Sequence, residues 1–284
     1  MIISIASGKG GTGKTTVAIN LALSIEQDVS FLDCDVEEPN AHIFLKPEII
    51  KTEPVTIPIP RVDKTKCDFC GKCARVCAYN AIVVLDKHIL VFPNLCHGCG
   101  GCTLFCPKNA ISEIEREIGV IESGRAGKIN FAQGRLNISE AMATPIIRKL
   151  SKFAFDSSTT IIDAPPGTSC PMIEAVKKSD FCILVTEPTP FGFNDLLLAV
   201  EVLKQLKIPF GVIINRADIG DKKVEEYCQK ENIPVLMRIP FNKEIAMAYS
   251  KGEPMIRVLP EYKKDFQICF DKIGSYINKE VKTR

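Results

Sequence analysis

Ser7-Gly8-Lys9-Gly10-Gly11-Thr12-Gly13-Lys14-Thr15-Thr16 separates an apolar run, Met1 to Ala6, from a stretch whose apolar residues Val17, Ala18, Leu21, Ala22 and Ile25 recur at helical spacing. The pattern predicts a buried strand, a tight glycine-rich loop and a helix. The loop fits G-x-x-x-x-G-K-[ST], with Gly8, Gly13, Lys14 and Thr15 in the fixed positions. Glycines let backbone N–H groups close around a phosphate without Cβ clashes. The helix N-terminus behind them adds partial positive charge. Gly8 through Thr16 are therefore expected to cradle a nucleotide's phosphates. Lys14 reaches the β- and γ-phosphates, and the Thr15 hydroxyl ligates Mg²⁺.

At 284 residues the chain can build one large α/β core or two domains. A net charge of +2 gives no dominant pull toward nucleic acid or a membrane surface, so neither partner is expected. No apolar run approaches the roughly 18 residues that span a bilayer. The N-terminus leads straight into the first strand and its loop, so no secretory leader and a cytoplasmic location are expected.

Downstream, Val29 to Asp33 reads as a second buried strand ending in Asp33-Cys34-Asp35-Val36-Glu37-Glu38. Carboxylates at a strand's C-terminal end beside a phosphate loop are placed for Mg²⁺ and its waters, which makes Asp33 a candidate Mg²⁺ group. Strand patterns at 160–163, 181–186, 210–215 and 235–239 alternate with helical ones, such as 195–206 and 221–231. The fold class expected is α/β, a doubly wound, mostly parallel sheet. Lys46 to Pro60 carries Pro47, Pro54, Pro58 and Pro60 and reads as an extended linker. Gly119 to Gly134 could pair as a hairpin around Gly124 to Gly127. Phe266, Cys269, Phe270, Ile273, Tyr276 and Ile277 have helical spacing, with a mixed rather than basic polar face. A helix docked on the sheet is expected there, and not a membrane-surface helix.

Eight of the 13 cysteines lie between 67 and 106. They form a repeat with an offset of 29 residues: Cys67, Cys70, Cys73 and Cys77 map onto Cys96, Cys99, Cys102 and Cys106. Gly71 maps onto Gly100, and Asn80-Ala81-Ile82 onto Asn109-Ala110-Ile111. Each half has the spacing C-x₂-C-x₂-C-x₃-C of bacterial two-cluster ferredoxins, in which the fourth cysteine ligates the other cluster. Two [4Fe–4S] clusters are expected, one on Cys67, Cys70, Cys73 and Cys106, the other on Cys96, Cys99, Cys102 and Cys77. The second half has the usual proline, Pro107, and the first has Ala78 instead. Structural zinc is the competing metal. A short hairpin turning at Asp86-Lys87 is expected between the halves. His88 and His97 read as ordinary imidazoles, since the cysteine set is complete.

The second lysine of the loop, Lys9, gives K-G-G-x-G-K-T-T, which resembles the deviant phosphate loop of the MinD, ParA, Mrp and nitrogenase-iron-protein superfamily. That resemblance implies a lysine acting across a dimer interface on the partner's nucleotide. It places Asp35 at the switch I aspartate that orients or deprotonates the attacking water. Ile161-Ile162-Asp163-Ala164-Pro165-Pro166-Gly167-Thr168 resembles the family's Walker B and switch II stretch, with Asp163 holding an Mg²⁺-bound water and Gly167 offering its N–H to the γ-phosphate. The resemblance also assigns Asn215 to the adenine edge and Pro240 to packing against the base. The whole chain resembles members of this superfamily that carry an inserted two-cluster ferredoxin domain. The implied organisation is an ATPase domain at 1–60 and 115–284, interrupted by a ferredoxin-like domain at 61–114.

The function expected is a Mg²⁺-dependent ATPase, with Lys9, Lys14, Asp35 and Asp163 as catalytic residues. Nucleotide-driven closure of a homodimer, or of a heterodimer with a paralogous chain, would gate electron transfer to an unidentified redox partner. An Mrp-type iron–sulfur carrier and a MinD-like spatial regulator with redox-sensing clusters are the alternatives.

Overall fold

The computed structural model describes residues 1–153 and 158–281. β1 (Ile2–Ala6) runs into α1 (Lys14–Ser24), and β2 (Val29–Asp33) leads to α2 (Ala41–Leu45). β3 (Glu48–Val62) climbs to the cysteine-bearing segment, which contains α3 (Lys72–Val76), β4 (Ile82–Leu85), β5 (His88–Val91) and α4 (Gly101–Leu104). β6 (Ile111–Ala126) returns and turns into β7 (Ile129–Leu136), followed by α5 (Thr144–Leu150). Then come β8 (Thr159–Asp163), α6 (Cys170–Val176), β9 (Phe181–Thr186), α7 (Pro190–Leu206), β10 (Phe210–Asn215), α8 (Lys223–Lys230) and β11 (Val235–Ile239). The chain closes with α9 (Lys243–Ser250), α10 (Met255–Val258) and α11 (Tyr262–Val281).

Nine strands form one sheet in the order β11-β10-β9-β1-β8-β2-β7-β6-β3. β11 through β7 pair in parallel, and β6 runs antiparallel to both β7 and β3. Alternate residues of the central strands feed opposite cores. Ile161 joins Ile3, Ile5, Phe31 and Ile183 on one face, and Ile162 joins Leu32, Leu184 and Val212 on the other. The expected mostly parallel, doubly wound sheet is therefore what forms. α11 docks as its spacing implies: Phe266, Cys269 and Ile273 are fully buried, in a cluster that also holds residues of α1.

The proline-rich stretch corrects the expectation. Lys46 to Pro60 is not a linker: from Glu48 it is a continuous strand paired with β6. β3 lies at the edge of the sheet, where one side of the strand needs no N–H donor. Pro54, Pro58 and Pro60 share one register parity, so their missing donors all fall on one side of the strand. The expected β6–β7 hairpin does form, closing between Ala126 and Ile129 with Gly127 at φ 59°.

β7 accompanies β6 only from Gly119 onward, so the pairs from Thr56↔Glu117 to Val62↔Ile111 stand as a two-stranded arm. The expected boundaries at 60/61 and 114/115 fall inside this arm. The cysteine segment sits at its far end, around the hairpin of β4 and β5 that turns at Asp86-Lys87.

Candidate functional site

The phosphate loop lies between the C-terminal end of β1 and the N-terminus of α1, where an open parallel sheet places its ligand crevice. Gly11 and Gly13 have φ of 77° and 93°, which side-chain-bearing residues rarely adopt. Gly13 has a second constraint: a Cβ there would stand 2.6 Å from Asn215 Nδ2. A cavity of about 450 Å³ opens above, lined by Gly10, Gly11, Gly13, Lys14, Thr15, Thr16, Asp35, Asn215 and Pro240 among others. That volume suits a small organic ligand. Gly8 instead packs tightly on the Asp195 backbone, and Gly8, Lys9 and Thr12 do not line the cavity.

Three aspartates lie within electrostatic reach of one another, and of these Asp35 lines the cavity. Asp33 and Asp163 are register partners at the ends of adjacent strands, both fully buried. Asp33 has both oxygens engaged: Oδ1 accepts the Asp35 N–H at 3.2 Å, and Oδ2 accepts the N–H groups of Asn40 and Ala41 at 3.1 and 3.0 Å. The side chain expected to serve Mg²⁺ thus moors the following loop and the start of α2. Burial and the neighbouring Asp163 push its pKa well above the carboxylate range.

Asp163 is different. Both its oxygens are buried, and neither accepts a hydrogen bond within geometric limits among the described residues. Burial lifts its pKa to about 6, against the pull of the Lys14 ammonium and the Thr15 hydroxyl. A buried carboxylate without partners is costly unless a cation or its water meets it. This orphaned group beside Thr15 fits a hydrated Mg²⁺. Asp35 also rises to about 6, chiefly by burial, with Lys14 opposing and Glu38 and Glu37 adding to the rise.

Two predicted ligand groups are engaged elsewhere in this conformation. Gly167 N–H donates to the Ser7 carbonyl at 3.0 Å, so reaching a phosphate requires that loop to move. Asn215 Nδ2 donates to the Thr12 carbonyl at 2.9 Å, and its Oδ1 accepts the Arg216 N–H at 3.0 Å. The amide ties the end of β10 to the phosphate loop and keeps one donor and one acceptor position for a base edge. Sequence reasoning missed the wall supplied by Ile245, Ala246, Tyr249 and Met255. Its only local signal was the helix start at Asn242, whose side chain accepts the Glu244 N–H at 2.7 Å.

The eight cysteines of the repeat line two cavities. One cavity is lined by Cys67, Cys70, Cys73 and Cys106, and another by Cys77, Cys96, Cys99 and Cys102. The repeat also appears in the backbone. Phe69 and Gly98, Gly71 and Gly100, and Asn80 and Asn109 all have positive φ. The turns at the asparagines aim Ala81 N–H at Cys77 Sγ and Ala110 N–H at Cys106 Sγ, at 3.2 and 3.3 Å. Among the described residues, no three His, Cys, Asp or Glu side chains converge closely enough for a single metal ion. Four thiols spread around a small cavity, with N–H groups aimed at sulfur, fit an iron–sulfur cube better than one zinc. His97 is not isolated: its ring stacks on Tyr79 with centroids 3.5 Å apart, beside the second cavity.

The remaining cysteines are mostly packing groups. Cys34, Cys182, Cys228 and Cys269 are buried, and Cys170 is exposed at the start of α6. No helix among the described residues is long and apolar enough to cross a membrane.

A family model described as the CobQ/CobB/MinD/ParA nucleotide binding domain matches residues 3–255. A Methanocaldococcus jannaschii protein described as uncharacterized is 36% identical, over 78% of this chain and 80% of its own length. The iron–sulfur cluster carrier protein of Aquifex aeolicus is 25% identical, over 92% of this chain and 63% of its own length. The solved structure of the septum site-determining protein MinD with Mg-ADP, from Pyrococcus horikoshii, shares the fold at a TM-score of 0.60 and 19% identity. It covers 96% of this chain and 95% of its own.

Proposed function

The chain belongs to the CobQ/CobB/MinD/ParA nucleotide-binding family, within the MinD/ParA/Mrp superfamily of P-loop ATPases, and on that premise we propose that it hydrolyses Mg·ATP to gate electron transfer through two [4Fe–4S] clusters. The observation that carries this reading is the division of eight cysteines into two four-cysteine cavities at the end of an arm continuous with the nucleotide-binding sheet. When bound, the clusters supply one-electron storage. Cys67, Cys70, Cys73 and Cys106 would hold one, and Cys77, Cys96, Cys99 and Cys102 the other.

At the nucleotide site, Gly10, Gly11, Gly13, Lys14, Thr15 and Thr16 would cradle phosphates, Lys14 would neutralise their charge, and Asp163 with Thr15 would hold Mg²⁺ and its waters. Asp35 lines the cavity and has a pKa near that of a useful base, so it orients the attacking water and takes its proton. Lys9 does not line its own chain's cavity. This supports its acting in trans on a second subunit's nucleotide, identical or paralogous, as a trans-supplied cation does. Engaged in that way, a closed dimer brings the switch loops of both subunits under strain from the γ-phosphate.

The resemblance to iron–sulfur carrier proteins favours a second reading, in which the cysteine sites deliver cargo. The two readings separate in one experiment. Anaerobically loaded protein is incubated with an apo acceptor ferredoxin and ATP, and iron is counted on both. Retention of about eight irons per chain, four per cluster, supports electron transfer. ATP-dependent loss of iron to the acceptor supports the carrier.

A further inference from the structure

We propose that the two cysteine sites are electrically unequal. Lys72 and Lys108 hold a cluster on Cys67, Cys70, Cys73 and Cys106 at the higher reduction potential, and Glu113 holds one on Cys77, Cys96, Cys99 and Cys102 at the lower. This rests on the reading that each set binds a [4Fe–4S] cluster.

The 29-residue repeat provides an internal control. What is matched across it does not explain a difference. The left-handed turns coincide, Cys70 and Cys99 are both exposed, and Ala81 and Ala110 N–H groups meet equivalent sulfurs. The charged positions are not matched. Lys72 corresponds to Gly101, Lys108 to Tyr79, Asp68 to His97 and Val84 to Glu113. Lys72, Lys108, Asp68 and Val84 line the first cavity; Tyr79, His97 and Glu113 line the second. Asp68 offsets one lysine, pairing with Lys108 at 3.8 Å, and the first lining keeps a net positive charge. The second carries the Glu113 carboxylate and, among the described residues, no lysine or arginine.

Glu113 is held in place. It projects from β6 opposite Pro60, and its Oε1 accepts the Thr103 hydroxyl at 3.1 Å. A Cβ on Gly100 would stand 3.3 Å from the same oxygen. The first half has Ala74 where the second has Thr103, so this latch exists on one side only. Reduction adds one electron's charge to a cluster. Nearby ammonium groups stabilise that charge and a carboxylate opposes it. A hydrogen bond to sulfur adds in the same direction: Phe69 N–H donates to Cys67 Sγ at 3.4 Å, and its counterpart from Gly98 to Cys96 is not formed among the described residues. The charged groups are solvent-exposed, so salt should shrink the difference.

The test is an anaerobic redox titration of the full-length holoprotein with a one-electron reductant, followed by electron paramagnetic resonance, with iron counted beforehand. Wild type should show two midpoints. Glu113→Gln should raise the lower one and leave the higher, and the Lys72→Gln/Lys108→Gln pair should lower the higher one. Eight irons per chain with one shared midpoint, unmoved by either variant, would overturn the inference while leaving the two-cluster reading intact. Iron well below eight in wild type would sink the two-cluster reading itself, and this inference with it.

Discussion

Leu136 N–H donates to the Val36 carbonyl at 2.8 Å, joining the end of β7 to the loop that carries Asp35. Val36 also packs on Gly134 of the same strand, where a Cβ would stand 2.6 Å from its Cγ1. β7 pairs with β2 on one side and β6 on the other, and β6 continues into the arm that bears the cysteines. A shift of the Asp35 loop therefore bears on the strand pair that holds the cysteine segment. The arm's root is clamped as well, by an ion pair between Arg116 and Glu140 whose second contact is 3.1 Å.

Gly134→Ala should strain this junction. The added methyl meets buried Val36 and Ile146, at 2.6 and 2.7 Å, and neither has room to retreat. Overpacking of this kind costs about 1–3 kcal/mol. Thermal unfolding should shift down by roughly 2–4 °C for each kcal/mol lost. An unchanged melting temperature would mean that the junction is loose.

Stabilisation by Mg·ADP should depend on pH. Asp35 and Asp163 both stand at about 6 in the fold, against an ordinary value of 3.8. Between those values the folded chain binds more protons than the unfolded one, so raising pH through about 6 ionises them at a cost to stability. A cation relieves that cost only when the carboxylates are charged. The melting shift on adding Mg·ADP should be larger above pH 6 than below it, and Asp163→Asn should flatten the dependence. Equal shifts at both pH values would speak against Asp163 as the Mg²⁺ group.

Lys14→Ala should abolish tight nucleotide binding, whereas Asp35→Ala should keep binding and slow hydrolysis. Lys9→Ala should bind nucleotide normally as a monomer, fail to dimerise with ATP, and lose activity on the scale of a trans-acting cation, roughly 10³–10⁵-fold. Binding isotherms, solution mass with ADP and ATP, and phosphate release measure the three. Dimerisation of Lys9→Ala equal to wild type would contradict the trans role.

The cross-partition of cysteines can be read from two single substitutions. Cys77 lies in the first run yet lines the cavity of Cys96, Cys99 and Cys102, and Cys106 does the reverse. Cys77→Ala should therefore perturb the site of the second run and Cys106→Ala that of the first, each leaving about four irons. Resonance signatures unique to the surviving cluster should differ between the two variants.

Much of this was legible beforehand because the informative residues are local. A phosphate loop, a strand-end aspartate and a cysteine spacing each fix chemistry within a few positions. What was not legible depends on long-range pairing. Pro54, Pro58 and Pro60 argue against a strand until the strand is known to lie at a sheet edge. Asp33 reads as an Mg²⁺ group from its strand-end position, and its hydrogen bonds from Asn40 and Ala41 N–H are not visible in the sequence. Asp218 belongs here too. Its Oδ1 accepts the Phe241 N–H at 2.5 Å, bridging the loops after β10 and β11 at one wall of the cavity.

That bridge should matter for binding and not for chemistry. Asp218→Ala should raise KM for ATP with little change in kcat, and Asp218→Asn, which keeps an acceptor, should restore it. A matching fall in kcat would place Asp218 closer to the reaction than the geometry does.

Coupling of nucleotide state to the cysteine sites can be measured in a single preparation. Anaerobically loaded Asp35→Ala protein, which should hold ATP without rapid turnover, is titrated potentiometrically with ADP and then with ATP. Its rate of electron transfer to a dye is recorded in the same two states. ATP should change the midpoint, the rate or both, and Lys9→Ala in the same background should abolish the change. Identical potentials and rates with ADP and ATP, in protein shown to dimerise with ATP, would contradict the coupling.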